Sequence, residues 1–186
     1  MNATQFLEGL EGRLRGQIDR VKRIADGLSD EEIAREAEPG VWGIGQILAH
    51  LNMATESYIP AMGAVISRGV ADSGGEPKHT FIAGFLLGGM HRPGIPVPGS
   101  MVPKGTTSKL DLEKWVDNSE RVLQLFEQAK GKDLVANKFK NPIVPIVNFN
   151  LADGFEIIVE HNERHVRQIE ERAVKMGFVF AENVSA

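Results

Sequence analysis

Two histidines near the C-terminal end of the chain, His161 and His165, are four residues apart in the stretch VEHNERHVRQIEER. In a helix, positions i and i+4 lie one above the other on the same face. Two imidazoles stacked in this way gain little from packing and repel each other when both are protonated. The same spacing lets both rings bind one metal ion, so we interpret the pair as candidate metal ligands.

A third histidine, His50, lies on the corresponding flank of an earlier predicted helix. On the helix that carries the histidine pair, we count about 100° per residue from the centre of its apolar stripe. This count places His165 roughly 70° and His161 roughly 110° to one side of the stripe. His50 falls roughly 100° to the same side of its own stripe, where Ala54 and Ala61 also lie. The three imidazoles are therefore predicted to meet where two packed helices border a groove, and the alanines leave room beside them.

Three neutral imidazoles are good ligands for a divalent transition metal such as Zn²⁺, Ni²⁺, Fe²⁺, Mn²⁺ or Cu²⁺. Three protein ligands leave one coordination position open, which is typical of catalytic rather than structural zinc. The alternative is that each histidine is a half-buried residue satisfied by ordinary hydrogen bonds. The pair is less specific than an HExxH motif, because Asn162 follows His161 and the motif contains no base.

Three further polar residues share the flank of the candidate ligands. Gln46 and Gln168 lie one turn from a histidine and could support a ligand or a bound water. Arg172 lies one turn beyond Gln168 and could attract an anionic substrate, although a solvated arginine is the simpler interpretation.

Other chemically interesting residues are interpreted as structural or solvated. His79 and His91 lie in a Gly/Pro-rich segment and are taken to be ordinary loop residues. Glu160 and Glu163 point elsewhere on the helical wheel and are predicted to face solvent. Trp42 is predicted to belong to the core.

Four amphipathic helices are predicted to position these residues. The apolar spacing places them at residues 4–28, 41–68, 108–130 and 150–177. Capping patterns predict the starts of the first and fourth helices at Asn2 with Gln5 and at Asn150 with Asp153. Ser29 with Glu32 predicts a separate capped single turn, which Pro39-Gly40 ends. Pro60 lies inside the second helix and is predicted to kink or break it.

Two long segments separate the helices. Residues 69–107 contain five prolines and nine glycines around the apolar run FIAGFLLGGM, and residues 131–149 contain IVPIVNF, which could form one short extended piece. Both exceed the usual bundle connections of about 2–8 residues. The pattern predicts an all-α four-helix bundle in a single domain, residues 1–186. The apolar run is expected to cover the groove as a lid or, as we favour, to contribute to a homodimer.

Composition narrows the function classes. The 186 residues carry a net charge of −4 and no basic stripe, which argues against nucleic acid as the main partner. The absence of cysteine excludes thiolate nucleophiles and Cys-ligated zinc. No segment has the ~20 apolar residues needed to cross a bilayer, and the N-terminus lacks a signal-peptide core. We therefore expect a cytoplasmic protein that does not bind membranes.

Two motifs resemble the DinB-like family, which includes YfiT-type proteins described as metal-dependent hydrolases. The family pattern W-x-x-x-x-[IV]-L-x-H-L is matched by Trp42, Leu48, His50 and Leu51. The family pattern H-x-x-x-H-x-x-Q-I is matched by His161, His165, Gln168 and Ile169. The resemblance follows the helix order over most of the chain, but only these two motifs are specific.

The resemblance implies an up-up-down-down bundle, a long crossover between the second and third helices, and a metal site of His50, His161 and His165. DinB-like relatives include thiol-dependent S-transferases and isomerases as well as proteins described as hydrolases. We therefore expect a metal-dependent hydrolase or thiol-dependent transferase with a small-molecule substrate. The alternative is a non-catalytic bundle that binds a metal or a small molecule in a stress response. A general base in the groove would favour the enzyme, and the sequence identifies none.

Overall fold

The computed structural model describes residues 1–90, 92 and 97–178 of the chain. The prediction of a mostly helical protein is confirmed, since six α-helices and one 3-10 turn, Gly99–Met101, occur within these residues. The helices are α1 (Ala3–Ala25), α2 (Asp30–Ala34), α3 (Ile44–Arg68), α4 (Phe81–Gly89), α5 (Lys109–Ala129) and α6 (Leu151–Lys175). None of the described helices has the length and apolar character needed to cross a membrane.

The predicted helix starts are confirmed by reciprocal capping hydrogen bonds. In each case a side chain accepts from a backbone N–H three residues later, and that later side chain accepts from the first backbone N–H. These capping boxes are formed by Asn2 with Gln5, Ser29 with Glu32 and Asn150 with Asp153. Each box satisfies backbone donors that the first helical turn leaves without partners.

Pro60 does not interrupt α3, which runs continuously from Ile44 to Arg68. The predicted break is therefore wrong. Pro60 lies on the exposed side of the helix, where water can satisfy the carbonyl group that loses its hydrogen bond. Ile59 and Met62, on either side of it, are buried and hold this turn of the helix against the core.

The four long helices form a closed square in which each packs against two others. α1 contacts α5 and α6, and α3 contacts the same two helices. Along α1, Arg13 pairs with Glu160 of α6. Further along both helices, Arg20 pairs with Glu170, so α1 and α6 run parallel.

The direction of α3 follows from its contacts with α5 and α6. The Nδ2 group of Asn52 donates to the Asp111 carbonyl, and further along both helices Glu56 pairs with Lys114. α3 and α5 are therefore parallel. By contrast, His50 near the start of α3 meets His161, whereas Met62, later in α3, lies beside Gly154, earlier in α6, so α3 and α6 are antiparallel.

The predicted up-up-down-down order is therefore wrong, and the order is up-down-down-up. The physical reason lies in the connections. Only consecutive parallel helices need a connection that returns along the whole bundle, and the longest connection joins the parallel helices α3 and α5. The predicted position of this crossover, between the second and third long helices, is thus confirmed, whereas the shorter connection from α1 to α3 joins antiparallel helices.

The apolar run in the crossover forms α4, a helix that the sequence pattern does not predict. Thr80 caps the helix, and its side chain accepts from the Ala83 N–H. Ala83 is the one buried residue of α4. Phe81 and Phe85 are 90% and 73% exposed, so within one chain the apolar run is not hidden.

His79 anchors the crossover to the start of α6, which corrects its interpretation as an ordinary loop residue. Its Nδ1 lies 3.1 Å from Oδ1 of Asp153, and its Nε2 lies 2.8 Å from Oε2 of Glu156. The same Asp153 oxygen accepts from the backbone N–H of Thr80 at 3.0 Å. His91 lies outside the described residues.

Between α5 and α6 the chain forms a small antiparallel hairpin of β1 (Lys138–Lys140) and β2 (Asn148–Asn150). The sequence predicted one extended piece here but not a strand pair, because three residues are too few to show an alternating pattern. Gly154 of α6 lies under the hairpin. A Cβ there would lie 2.6 Å from the Phe139 ring and 2.9 Å from Sδ of Met62, so only glycine lets α3, α6 and the hairpin approach this closely.

Candidate metal centre

His50, His161 and His165 converge between α3 and α6, as the sequence predicted. The Nε2 atom of His161 lies 3.2 Å from Nε2 of His50 and 3.2 Å from Nε2 of His165. All three candidate ligand atoms lie within 4.8 Å of one another. His50 and His165 are buried, and His161 is partly buried.

The positions of the three rings follow from the two helices that carry them. One turn of α6 places His161 and His165 on the same face, while Val166 and Ile169 bury the neighbouring face in the core. α3 runs antiparallel to α6 and brings His50 to the same level. The site therefore depends on the packing of two long helices rather than on a loop.

The tautomer of His50 is fixed by the crossover. Its Nδ1 atom lies 2.8 Å from the backbone carbonyl oxygen of Met101. A carbonyl can only accept, so Nδ1 carries the proton. The Nε2 lone pair of His50 therefore points toward His161.

His165 is oriented in the same way by a side chain of its own helix. Its Nδ1 atom lies 2.7 Å from Oε1 of Gln168. With the amide oxygen accepting, Nδ1 again carries the proton and Nε2 keeps its lone pair. The predicted supporting role of Gln168 is thus consistent with its contact.

The cluster fits a metal ion better than a hydrogen-bonded set of histidines. The lone pairs of His50 and His165 both face Nε2 of His161, and a neutral His161 could donate a proton to only one of them. A cation satisfies all three nitrogens at once. Zinc–nitrogen bonds of about 2.0–2.1 Å in a tetrahedral arrangement separate two ligand nitrogens by about 3.3–3.4 Å. This is close to the 3.2 Å that separates Nε2 of His161 from Nε2 of His50 and from Nε2 of His165.

Burial keeps these histidines in the neutral form that binds metals. It lowers the pKa of His165 to about 3, with a further contribution from His50, while the hydrogen bond that His165 donates to Gln168 opposes the shift. Burial, followed by the charges of His165 and His50, lowers the pKa of His161 well below its usual range. Burial also lowers the pKa of His50, against the opposing Met101 hydrogen bond.

Cavities border the cluster on both sides. A cavity of about 110 Å³ adjoins His50 and His161 and is lined mainly by apolar side chains, including Ala54, Ile157 and Ile158. A second cavity of about 190 Å³ borders all three histidines and Arg164. Ala54 thus leaves room beside the site, as predicted, whereas Ala61 does not line either cavity.

A third cavity, of about 340 Å³, continues past His165. It is lined by Trp42, Gln168 and Arg172 among others. Trp42 was predicted to be a core residue, but its ring also lies 5.3 Å from the His50 ring, measured between centroids. Arg172 donates from Nε to the Trp42 carbonyl at 3.3 Å.

Two residues of the site were missed by sequence reasoning. Arg164 lines the second and third cavities, and its positive charge lowers the pKa of each histidine. Its position three residues after His161 could have revealed it, since i and i+3 share a helix face. Met101 contributes only a backbone carbonyl, so no side-chain pattern could have identified it.

Other predicted candidates serve elsewhere. The Oε1 atom of Gln46 accepts from the Gly43 N–H at 2.9 Å and so caps α3 rather than supporting a ligand. Glu163, predicted to be solvated, pairs with Arg20 and Arg167, and Glu160 pairs with Arg13. These glutamates point toward α1 or solvent. Among the described residues that line the three cavities, none is a carboxylate.

Comparison with protein families identifies the superfamily of the chain. The family model described as the DinB superfamily matches residues 13–169, a range that includes all three histidines. Comparison with curated proteins gives no significant match, and neither does comparison with solved structures.

Proposed function

The chain belongs to the DinB superfamily, and on that premise we propose that it is a metal-dependent enzyme acting on a small molecule. His50, His161 and His165 are the proposed ligands. The proposal is carried by one observation: three Nε2 atoms converge, and the lone pairs of two of them are fixed by hydrogen bonds at the opposite ring nitrogen. Three ligands leave a coordination position for a substrate.

A divalent transition metal such as Zn²⁺, Ni²⁺, Fe²⁺ or Mn²⁺ would supply Lewis acidity that polarises a substrate or lowers the pKa of water or of a thiol cosubstrate. The protein's own contribution is to hold the rings. The Met101 carbonyl and Gln168 orient two imidazoles, and burial keeps all three neutral. The apolar cavity beside Ala54 excludes water from one side of the reacting group.

Hydrolysis and thiol transfer are the reaction classes that we propose. Both start from a nucleophile that has to lose a proton, and no carboxylate lines the cavities in the described part of the chain. The nucleophile must therefore be acidic enough to release its proton to solvent. A free thiol has a reference pKa of about 8.5 against about 15.7 for bulk water, and a metal would lower the pKa of a bound thiol below that of a bound water. Thiol transfer is therefore the first of the two proposed reaction classes.

The same lack of a carboxylate base supports a second candidate function. A bundle that binds a metal or a small molecule without turnover, as in a stress response, needs the three histidines and the cavities but no base. The two functions differ in whether a bound substrate is converted.

Elemental analysis tests the metal site. We expect one metal per chain in the purified protein and a sharp loss in each of H50A, H161A and H165A. His79→Ala is the matched control, because His79 binds Asp153 and Glu156 away from the cluster, and its metal content should be unchanged. Stoichiometric metal in the triple alanine variant would place the site elsewhere.

Activity measurements then separate the candidate functions. Metal-loaded and chelated protein should be assayed with thiol cosubstrates and electrophiles, and in parallel with esters and amides. Turnover that disappears on chelation and returns with metal supports the enzyme. Full metal content without turnover of any of these substrates favours the non-catalytic candidate.

We further propose that the chain forms a homodimer through α4. Its outward face carries four apolar side chains, which are 42% to 90% exposed: Phe81, Ile82, Phe85 and Leu86. A contiguous apolar face of this kind marks a binding surface or an aggregation hazard. A two-fold symmetric dimer, the commonest soluble assembly, lets the same face cover itself.

A further inference from the structure

We propose that the substrate is a small organic carboxylate with a short apolar arm. In this arrangement Arg164 binds the carboxylate, and the cavity beside Ala54 holds the arm. This inference rests on the metal-dependent function proposed above, and it assigns roles to residues that are not metal ligands.

Arg164 is a half-buried cation for which the described part of the chain supplies no counter-ion. Its Nη1 group donates to the Met90 carbonyl at 2.8 Å. No carboxylate pairs with it among residues 1–90, 92 and 97–178. Nearby arginines on α6 differ in this respect, since Arg167 pairs with Glu163. Arg164 therefore keeps guanidinium N–H groups that can donate to an anion.

The charge around the cluster is uncompensated. Three neutral imidazoles do not balance a divalent cation, and Arg164 adds a further positive charge. None of the described residues that line the three cavities is acidic. Arg172, in the adjoining cavity, is not counted in this charge because Nη1 of its side chain lies 4.0 Å from Oε2 of Glu171. A partly buried site with this charge favours an anionic ligand, and the planar guanidinium group matches the geometry of an oxyanion.

The opposite side of the cluster is apolar. Ala54, Ile143, Ile157 and Ile158 line the cavity there. The Tyr58 hydroxyl in its wall is already bound by Nδ2 of Asn141 at 3.2 Å. The volume of about 110 Å³ is smaller than the cavity of about 150 Å³ that holds a benzene molecule. An arm of a few carbon atoms fits, and a long acyl chain does not.

The two cavities meet at the metal ligands. His50, His161 and Pro98 border both of them. A molecule with its carboxylate near Arg164 and its arm beside Ala54 therefore passes the three Nε2 atoms. The reacting group of this molecule then lies between its carboxylate and its arm, so one site can select for both the charge and the arm.

Isothermal titration calorimetry with the metal-loaded protein tests this substrate class. The probes are hexanoate, hexanamide, acetate and inorganic phosphate. We expect hexanoate to bind at least about tenfold more tightly than hexanamide, which lacks the charge, and than acetate, which lacks the arm. Equal binding of hexanoate and hexanamide would overturn the proposal. Phosphate binding as tight as hexanoate binding would reduce the site to a simple oxyanion site and also overturn it.

Single variants test which residue binds the carboxylate and which one borders the arm. Arg164→Gln should abolish the difference between hexanoate and hexanamide. Arg167→Gln, on the same helix with a 62% exposed side chain, should preserve that difference. Ala54→Leu should lower hexanoate affinity to that of acetate without changing acetate binding. The proposal fails if Arg164→Gln keeps the difference or if Ala54→Leu leaves hexanoate affinity unchanged.

Two checks keep the result interpretable. Arg164→Lys retains the charge but loses the planar guanidinium group, so it should retain only part of the hexanoate preference. If circular dichroism shows that the glutamine variant is unfolded, an undiminished preference in Arg164→Lys overturns the role of Arg164. Metal content is measured on every sample. Protein that holds metal but shows no preference for hexanoate overturns only the substrate class, whereas protein that holds no metal overturns the proposed function.

Discussion

The Nδ1 atom of His50 lies 2.8 Å from the carbonyl oxygen of Met101, the last residue of the 3-10 turn in the crossover. One candidate ligand on α3 is thus oriented by the backbone of a segment that contributes no ligand itself. Side-chain substitutions at Met101 leave this carbonyl in place. The contact with Gln168 is the one that mutation can remove.

Replacing Gln168 with leucine should weaken metal binding about 10- to 100-fold, because His165 loses the acceptor that fixes its tautomer and orientation. Competition with a chromophoric chelator measures the effect. Gln46→Leu is the control, since Gln46 caps α3. It should lower the free energy of unfolding by about 1 kcal/mol and leave metal affinity unchanged. Equal affinity losses in both variants would contradict a specific role for Gln168.

Stability without metal should fall as the solution is acidified. Unfolded histidines have a pKa of about 6.5, whereas burial lowers the pKa of His165 to about 3 in the folded chain. Between these values the unfolded state binds more protons, so the free energy of unfolding decreases as pH falls. Each histidine contributes at most about 1.4 kcal/mol per pH unit.

Thermal unfolding of chelator-treated protein between pH 7 and pH 4 measures this dependence. The triple variant H50A/H161A/H165A should show a shallower dependence, and an identical slope would assign the effect to other groups. Metal-loaded protein should release its metal below pH ~6.5, because protons compete for the imidazole lone pairs. Unchanged occupancy at pH ~4 would argue for carboxylate ligands.

Removing the metal should destabilise the bundle without unfolding it. The core contains fully buried side chains from all four long helices, among them Leu14, Leu51, Trp115 and Phe155. A metal that binds only the folded state adds about 2.7 kcal/mol at a hundredfold excess over Kd. Chelation should therefore lower the melting temperature and preserve the helical circular dichroism signal. Loss of that signal would make the metal a structural one.

The double variant F81S/F85S should be monomeric in light scattering if α4 forms the dimer contact. These side chains are 90% and 73% exposed in the single chain, so their loss should not disturb the core. Leu110→Ser removes a side chain that is 70% exposed on α5 and is expected to leave the assembly unchanged. A wild-type monomer, or a dimer that survives F81S/F85S, would contradict the proposed interface.

The helices and the convergence of the histidines could be predicted because both depend on local patterns. Capping residues such as Asn150 act within one turn, and the helical period fixes the angle between a histidine and its apolar stripe. Since buried stripes must face each other, His50 and His161 had to lie on facing flanks. The helical wheel therefore made the cluster a candidate, and the two motifs that resemble the DinB-like family strengthened the prediction.

The bundle order and the surroundings of the cluster could not be predicted in the same way. Helix direction depends on which connection spans the bundle, a property of the whole chain rather than of any motif. Met101 contacts His50 through its backbone carbonyl, which every residue type has, so the sequence cannot indicate this contact. In the sequence Arg164 is like any charged helix residue, and only the structure shows that none of the residues it describes pairs a carboxylate with it.

Asp153 joins two parts of the chain that are synthesised at different times. One of its oxygens accepts from the backbone N–H of Thr80 at the start of α4, and the other accepts from that of Asn150 at the start of α6. His79 is separated from Asp153 by 74 positions, which a ribosome translates in roughly 4–15 s. Throughout that interval the crossover has no anchor on α6, so its docking waits for the last helix of the bundle to emerge.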